Sequence, residues 1–297
     1  MRRILLFLGT NLAVLMLFGI ICRLFGIDQW AASQGYGGLG PLLVYAAIFG
    51  MGGAFVSLAM SKWIAKRSTG AEVIEQPRNE AESWLLDTVR ELAGKAGIGM
   101  PEVAIYDAPE MNAFATGARR NHALVAVSTG LLHQMDRNQV RAVLGHEIGH
   151  VANGDMVTLT LVQGVLNTFV IVAARIIGRV VDGWLSGGRE NREGGGIGYF
   201  VIVMVLQLVL GIFASMLVMA FSRWREFRAD AAGARFADSF SMISALERLK
   251  ANHGESTLPK AMAAFGISGG LAQGLQRLFM SHPPLAERIA ALRAANG

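Results

Sequence analysis

Two of the chain's six histidines stand four residues apart with a glutamate between them, in the run His146-Glu147-Ile148-Gly149-His150. On a helix, positions i and i+4 share a face, so both imidazoles can reach one metal ion while the intervening carboxylate reaches a water beside it. With so few histidines, a chance match is expected on the order of one time in a hundred, so the run reads as a metal site. Hydrolytic zinc sites use three protein ligands and keep a fourth position open, which requires one more ligand. The metzincin solution is absent, because Asn153 and Met156 stand where that pattern has its glycine and its third histidine. A second candidate stretch, Arg223-Trp224-Arg225-Glu226-Phe227-Arg228-Ala229-Asp230, places Glu226 and Asp230 one helical turn apart on one face. One of the two can bind the metal while the other orients a ligand histidine. On a solvated helix the same carboxylates would instead pair with Arg223, Arg225 and Arg228; the presence of the first motif favours ligation. Gly145 and Gly149 each weaken the motif helix by roughly 1 kcal/mol relative to alanine. Their small size reads as room for close approach of metal or substrate.

The elements that must position these groups follow from patterning. Asn79 to Lys95 has an amphipathic helical pattern with Trp84, Leu85, Val89 and Leu92 along one side, and Arg137 to Asn153 reads as the helix carrying the motif. Glu102 to Asp107, Ala113 to Gly117 and Ala123 to Ser128 are short β-branched or alternating runs bounded by Pro, Asn and Gly, which predicts a small sheet. Ser241 to Leu249 and Leu285 to Arg293 show helical patterns near the end of the chain. No internal repeat is found.

The remainder is too apolar for an ordinary soluble protein: 53% of residues are hydrophobic and only 16% charged. Charge-free segments at Ile4 to Cys22, Pro41 to Met60, Met156 to Ala174 and Gly194 to Ser222 are each of membrane-spanning length. The first is read as a retained span, because its apolar core is long for a signal peptide and a small-residue cleavage site is missing. Lys62, Lys66 and Arg67 close the second, so positive-inside counting puts both ends of the first hairpin in the cytoplasm. Charge counting is ambiguous for the connector of the second hairpin, where Ser186 to Gly196 reads as a solvated loop. If His146 and Glu226 share one ion, however, segments three and four must both span or neither does. The formal charge of +5 is scattered around apolar runs, without a basic stripe interleaved with aromatics, so nucleic-acid binding is unsupported. The lone Cys22 excludes an intrachain disulfide and any cysteine-based metal motif.

Taken in order, Asn112-Ala113-Phe114-Ala115-Thr116-Gly117, His146 to Asp155, Phe221 to Asp230, and Ser281-His282-Pro283-Pro284 with Arg288 make the chain resemble the HtpX family of bacterial membrane zinc proteases, relatives of the CAAX prenyl proteases. The match covers nearly the whole chain. The resemblance implies an α+β fold, with helical transmembrane anchors and a mostly α zincin-like metalloprotease domain containing a small β-sheet. It favours Glu226 as the third ligand beside His146 and His150 to one Zn2+, with Asp230 holding a ligand histidine from behind and Glu147 as the catalytic base. It further implies that Asn112, Ala113, Phe114 and Ala115 lie on an edge strand that binds extended substrate, and that His282 stabilises the oxyanion. The implied setting is multi-pass in the bacterial cytoplasmic (inner) membrane. There, unfolded or damaged membrane proteins are cleaved on the cytoplasmic side in quality control under stress.

The expected organisation is a transmembrane hairpin over 1–67 (spans 4–22 and 41–60) and a first protease segment over 68–155. A second hairpin over 156–222 (spans 156–177 and 198–221) and a second protease segment over 223–297 complete it. Three rival readings fare worse. A pseudoprotease scaffold would not need Glu147, and a transporter would need more intramembrane charge. An intramembrane protease would need its motif inside a span, yet Arg137 and Arg141 precede this one.

Overall fold

In a computed structural model the described residues are 24, 39–185, 197–252, 278 and 280–295. In chain order they form α1 (Leu39–Thr69), β1 (Glu72–Val73), α2 (Glu80–Ala96), β2 (Glu102–Tyr106), β3 (Ala113–Thr116) and β4 (Leu124–Ser128). These are followed by α3 (Thr129–Gln134), α4 (Arg137–Asn153), α5 (Asp155–Leu185), α6 (Ile197–Phe236), α7 (Ser239–Asn252) and α8 (Leu285–Ala295). The expected span at 4–22, with Cys22, and the connector Ser186 to Gly196 lie outside the described residues.

The chain divides into two compact units, one of residues 1–56 and 160–218, the other of residues 57–159 and 219–297. The helices α1, α5 and α6, whose larger parts make up the first, are long and apolar enough to cross a membrane, over Gly40–Thr69, Asp155–Leu185 and Gly198–Phe236. Their outward side chains include Val44, Ile48, Phe49, Phe200, Leu208 and Phe213. A closely packed crossing fixes α1 against α5: a Cβ at Gly50 would come within 2.4 Å of Thr168 Oγ1, so only glycine fits. The Thr168 hydroxyl donates back to Gly164 O, and Gln163 donates to Asn167 Oδ1 on the same helix, so these polar groups are satisfied inside an apolar segment.

The second unit is built on a four-stranded sheet of order β1-β2-β4-β3, in which β2 and β4 are parallel and the outer pairs antiparallel. The three runs expected to be strands are β2, β3 and β4. Strand β4 is buried along its whole length, as a central strand should be. One face of the sheet meets α2 and α4, and α7 packs on α4, around Leu85, Leu92, Val125, Leu144, Ile148 and Leu246, all at most 1% exposed. The other face packs Ala104, Tyr106, Leu124 and Ala126 under the last turns of α1 through Ala65. There Lys62 and Lys66 both bind Glu102 at 2.5 Å. Burial alone would raise the Glu102 pKa, but the two lysines prevail and hold it below its ordinary value.

Candidate metal centre

Helix α4 begins with a capping box. Asp136 accepts from the backbone of Asn138 and Gln139, and the Gln139 side chain accepts from the Asp136 backbone. At its other end Gly154, at φ 67°, provides the left-handed cap that β-carbon-bearing residues adopt at a cost. That cap turns the chain so that Asp155, the first residue of α5, points back at His150. Gly145 and Gly149 serve helix packing and not ligand access, contrary to the sequence reading. Against them lie Gly233, Ala229 and Ala232 of α6, and a Cβ at Gly149 would come within 2.7 Å of the Ala232 Cβ. The two backbones therefore approach closely enough for α6 to present Glu226 and Asp230 to the motif histidines.

That approach creates a convergent donor set. His146 Nε2 and His150 Nε2 are 3.2 Å apart, Glu226 Oε1 is 3.2 Å from His150 Nε2, and Glu226 Oε2 is 3.6 Å from His146 Nε2. Ligands about 2.0–2.1 Å from a tetrahedral ion stand roughly 3.4 Å from one another, so the three groups have the spacing of three corners of such a site. The opposite ring nitrogens are both engaged by carboxylates: His146 Nδ1 lies 2.9 Å from Asp230 Oδ1, and His150 Nδ1 lies 2.7 Å from Asp155 Oδ2. With each Nδ1–H donated, both Nε2 lone pairs face each other and a carboxylate, which is repulsive without a shared cation. Glu226 Oε2 is buried, with His282 Nδ1 at 2.7 Å and Arg288 Nη1 at 3.3 Å from it. A buried carboxylate facing two bare imidazole nitrogens fits a metal ion, and His146, His150 and Glu226 are the residues that could hold it.

The carboxylates of α6 do not lie on a solvated face. Glu226 is 3% exposed and Asp230 1%. Nor do they pair with the nearby arginines of their own helix. Arg225 Nη2 binds Asp155 Oδ1 at 2.8 Å, Arg223 donates to Leu278 O and Met280 O, and Arg228 lies over the Trp224 ring. Arg288 of α8 holds Asp230 with two nitrogens, Nε at 2.8 Å and Nη2 at 2.5 Å. Burial alone would lower the Arg288 pKa; Asp230, Glu226 and Glu147 outweigh that and raise it, so the cation is permanent. The structural contacts of Asp155, Arg225 and Arg288 were not anticipated. The acid of Asp155 in the first turn of a helix was a visible signal, whereas the 58-residue separation of Arg288 from Asp230 left none.

Glu147 shares α4 with the histidines and is partly exposed, open to solvent on the side its neighbours are not. His282 contacts the Glu226 carboxylate while 60% of its side chain remains exposed. Asn112 donates its backbone N–H to Ser128 Oγ at 3.0 Å and accepts from Ser128 N at 2.9 Å. It leads into Ala113, Phe114 and Ala115 of β3, the outer strand next to β4, and α4 packs on that strand. His122 and His133 are exposed and outside the cluster.

Comparison with known proteins places this arrangement. Residues 79–296 match the model of peptidase family M48, and these contain all of the residues above. Protease HtpX of Xanthomonas euvesicatoria pv. vesicatoria (strain 85-10) is 64% identical over 297 residues, covering 100% of this chain and 98% of that protein. Protease HtpX of Xanthomonas axonopodis pv. citri (strain 306) is 63% identical with the same coverage. Among solved structures, S. mikatae Ste24p superposes with a TM-score of 0.63 at 17% identity, covering 93% of this chain and 67% of that one, a likeness of fold. Family, fold and donor set agree: this chain is a metalloprotease with membrane-spanning helices, belonging to peptidase family M48 and, within it, to the HtpX proteases.

Proposed function

We propose that the chain is a zinc-dependent endopeptidase of the bacterial inner membrane that cleaves unfolded or damaged membrane proteins at the cytoplasmic face. The observation that carries the reading is the convergence of His146, His150 and Glu226 at tetrahedral spacing, with the base Glu147 on the same helix. A zinc ion held there would supply the Lewis acidity that polarises a peptide carbonyl and acidifies a water molecule. Glu147 accepts that water's proton and returns it to the leaving amine. His282, exposed beside Glu226, donates a hydrogen bond to the carbonyl oxygen as charge develops on it. The outer edge of β3 offers backbone donors and acceptors to an extended peptide, so recognition falls mainly on the main chain and imposes little sequence preference. A segment that cannot keep its own secondary structure satisfies that requirement, which is why damaged proteins are the favoured substrates.

The organisation that goes with this reading is a hairpin over 1–67, protease segments at 68–155 and 223–297, and a second hairpin over 156–222. The basic end of α1 at Lys62, Lys66 and Arg67 supports a cytoplasmic active site. The test is proteolysis of an unfolded substrate by the full chain purified in detergent, with and without chelator. Cleavage that stops with chelator and returns with added zinc is expected; chelator-insensitive cleavage would contradict the reading.

A further inference from the structure

The two motif histidines are held from behind in unlike ways. Asp230 is gripped by both arms of Arg288, whereas Asp155 is a bridge: Oδ2 takes the His150 Nδ1–H and Oδ1 takes one Arg225 nitrogen. Asp155 and Arg225 are 4% and 5% exposed, so neither charge could be left there alone without a large desolvation cost. Among the described residues Asp155 is the ion-pair partner of Arg225, whose Nε is buried without a hydrogen bond and whose guanidinium also faces the Phe221 ring at 5.6 Å. The pair also joins the first residue of α5 to the residue preceding Glu226 on α6, where two long apolar helices enter the catalytic unit.

We infer that Asp155 and Arg225 form a charge-compensated positioning pair for His150, resting on the zinc reading above. Asp155 fixes the imidazole in the tautomer that presents Nε2 to the metal, and Arg225 holds the Asp155 carboxylate in place. The roles are electrostatically opposite with respect to a cation at the site. Removing the aspartate charge leaves a buried arginine whose field opposes the metal, while removing the arginine leaves an anion that still accepts from His150.

This gives an ordering that a purely packing role does not produce. Metal affinity of the full detergent-purified chain, read by competition with a chromogenic chelator for zinc and by the visible spectrum of a cobalt-substituted sample, should fall about 10–100-fold in Asp155→Asn. Arg225→Gln should lose much less, and the double variant Asp155→Asn/Arg225→Gln should recover part of the Asp155→Asn loss. Thermal unfolding of the metal-free forms reports folding separately, and Arg225→Lys, which keeps the charge, should bind zinc like the parent if Arg225→Gln fails to fold. Unchanged zinc affinity and cobalt spectrum in Asp155→Asn would overturn the pair's role, as would a double variant that binds more weakly than either single one. Absence of tight zinc in the unaltered chain would instead overturn the zinc reading itself.

Discussion

The two units invert one another's chemistry. In the unit of residues 1–56 and 160–218, large apolar side chains such as Leu208 and Phe200 face outward, and Gln163 and Thr168 hydrogen-bond within their own helix. The unit of residues 57–159 and 219–297 has an apolar core, yet also buries two histidines, three carboxylates and two arginines in one cluster. An apolar exterior is stable only in lipid, and a buried set of like-facing lone pairs only around a cation. The same 40-residue helix, α6, serves both settings: its first part is apolar all round, and its last turns carry Glu226 and Asp230 toward α4.

The comparison breaks most readily at the cluster. Glu147→Gln should retain metal and lose peptide hydrolysis by about 10²–10⁴-fold, because an amide cannot accept the water's proton; steady-state cleavage with metal analysis checks both. Replacing Gly149 by Ala forces a Cβ to within 2.7 Å of Ala232, an overpacking that should cost about 1–3 kcal/mol in chemical denaturation and displace α6 with Glu226 and Asp230. Sharpening the contrast between the two exteriors, Leu208→Lys and Phe240→Lys alter residues 68% and 83% exposed, one in each unit. The first should impair membrane insertion by roughly 2.5–3.5 kcal/mol, and the second should leave insertion and folding unchanged. Equal tolerance of both would mean that the outer face of α6 does not meet lipid.

The smallest effect lies far from the site. Glu91 is drawn down to a pKa of about 2 by hydrogen bonds from Arg141 and then Lys95, but its side chain is 48% exposed and solvent screens the gain. A depressed folded-state pKa contributes stability above the unfolded value near 4.5, and that contribution is lost as pH falls from there toward 2. Glu91→Gln should therefore reduce stability at neutral pH by roughly 0.5 kcal/mol or less and flatten the acid limb of a denaturation series.

Local signals made much of this readable. The i, i+4 histidines, the turn residues bounding β2, β3 and β4, and the amphipathic stripe of α2 each depend on residues within a few positions. What was not readable depends on distant chain segments meeting. Gly145 and Gly149 looked like space for a ligand because only the approach of Ala229, Ala232 and Gly233 shows what fills that space. Arg225 carried no signal of its own once its neighbouring carboxylates were read as serving the metal, yet α6 turns it toward Asp155 on another helix. The sequence change from apolar to charged at Arg223 marks the expected boundary between the second hairpin and the second protease segment, and one helix runs unbroken across it from Ile197 to Phe236, since no proline or capping turn interrupts it there.

The central claim is that Glu226 is the third ligand and Asp230 a support. Zinc affinity measured side by side for Glu226→Ala and Asp230→Ala in the full detergent-purified chain tests it most directly. The expected result is loss of tight zinc binding in Glu226→Ala and a weakening of about 10–100-fold in Asp230→Ala. Stoichiometric zinc retained by Glu226→Ala, with Asp230→Ala metal-free, would contradict it.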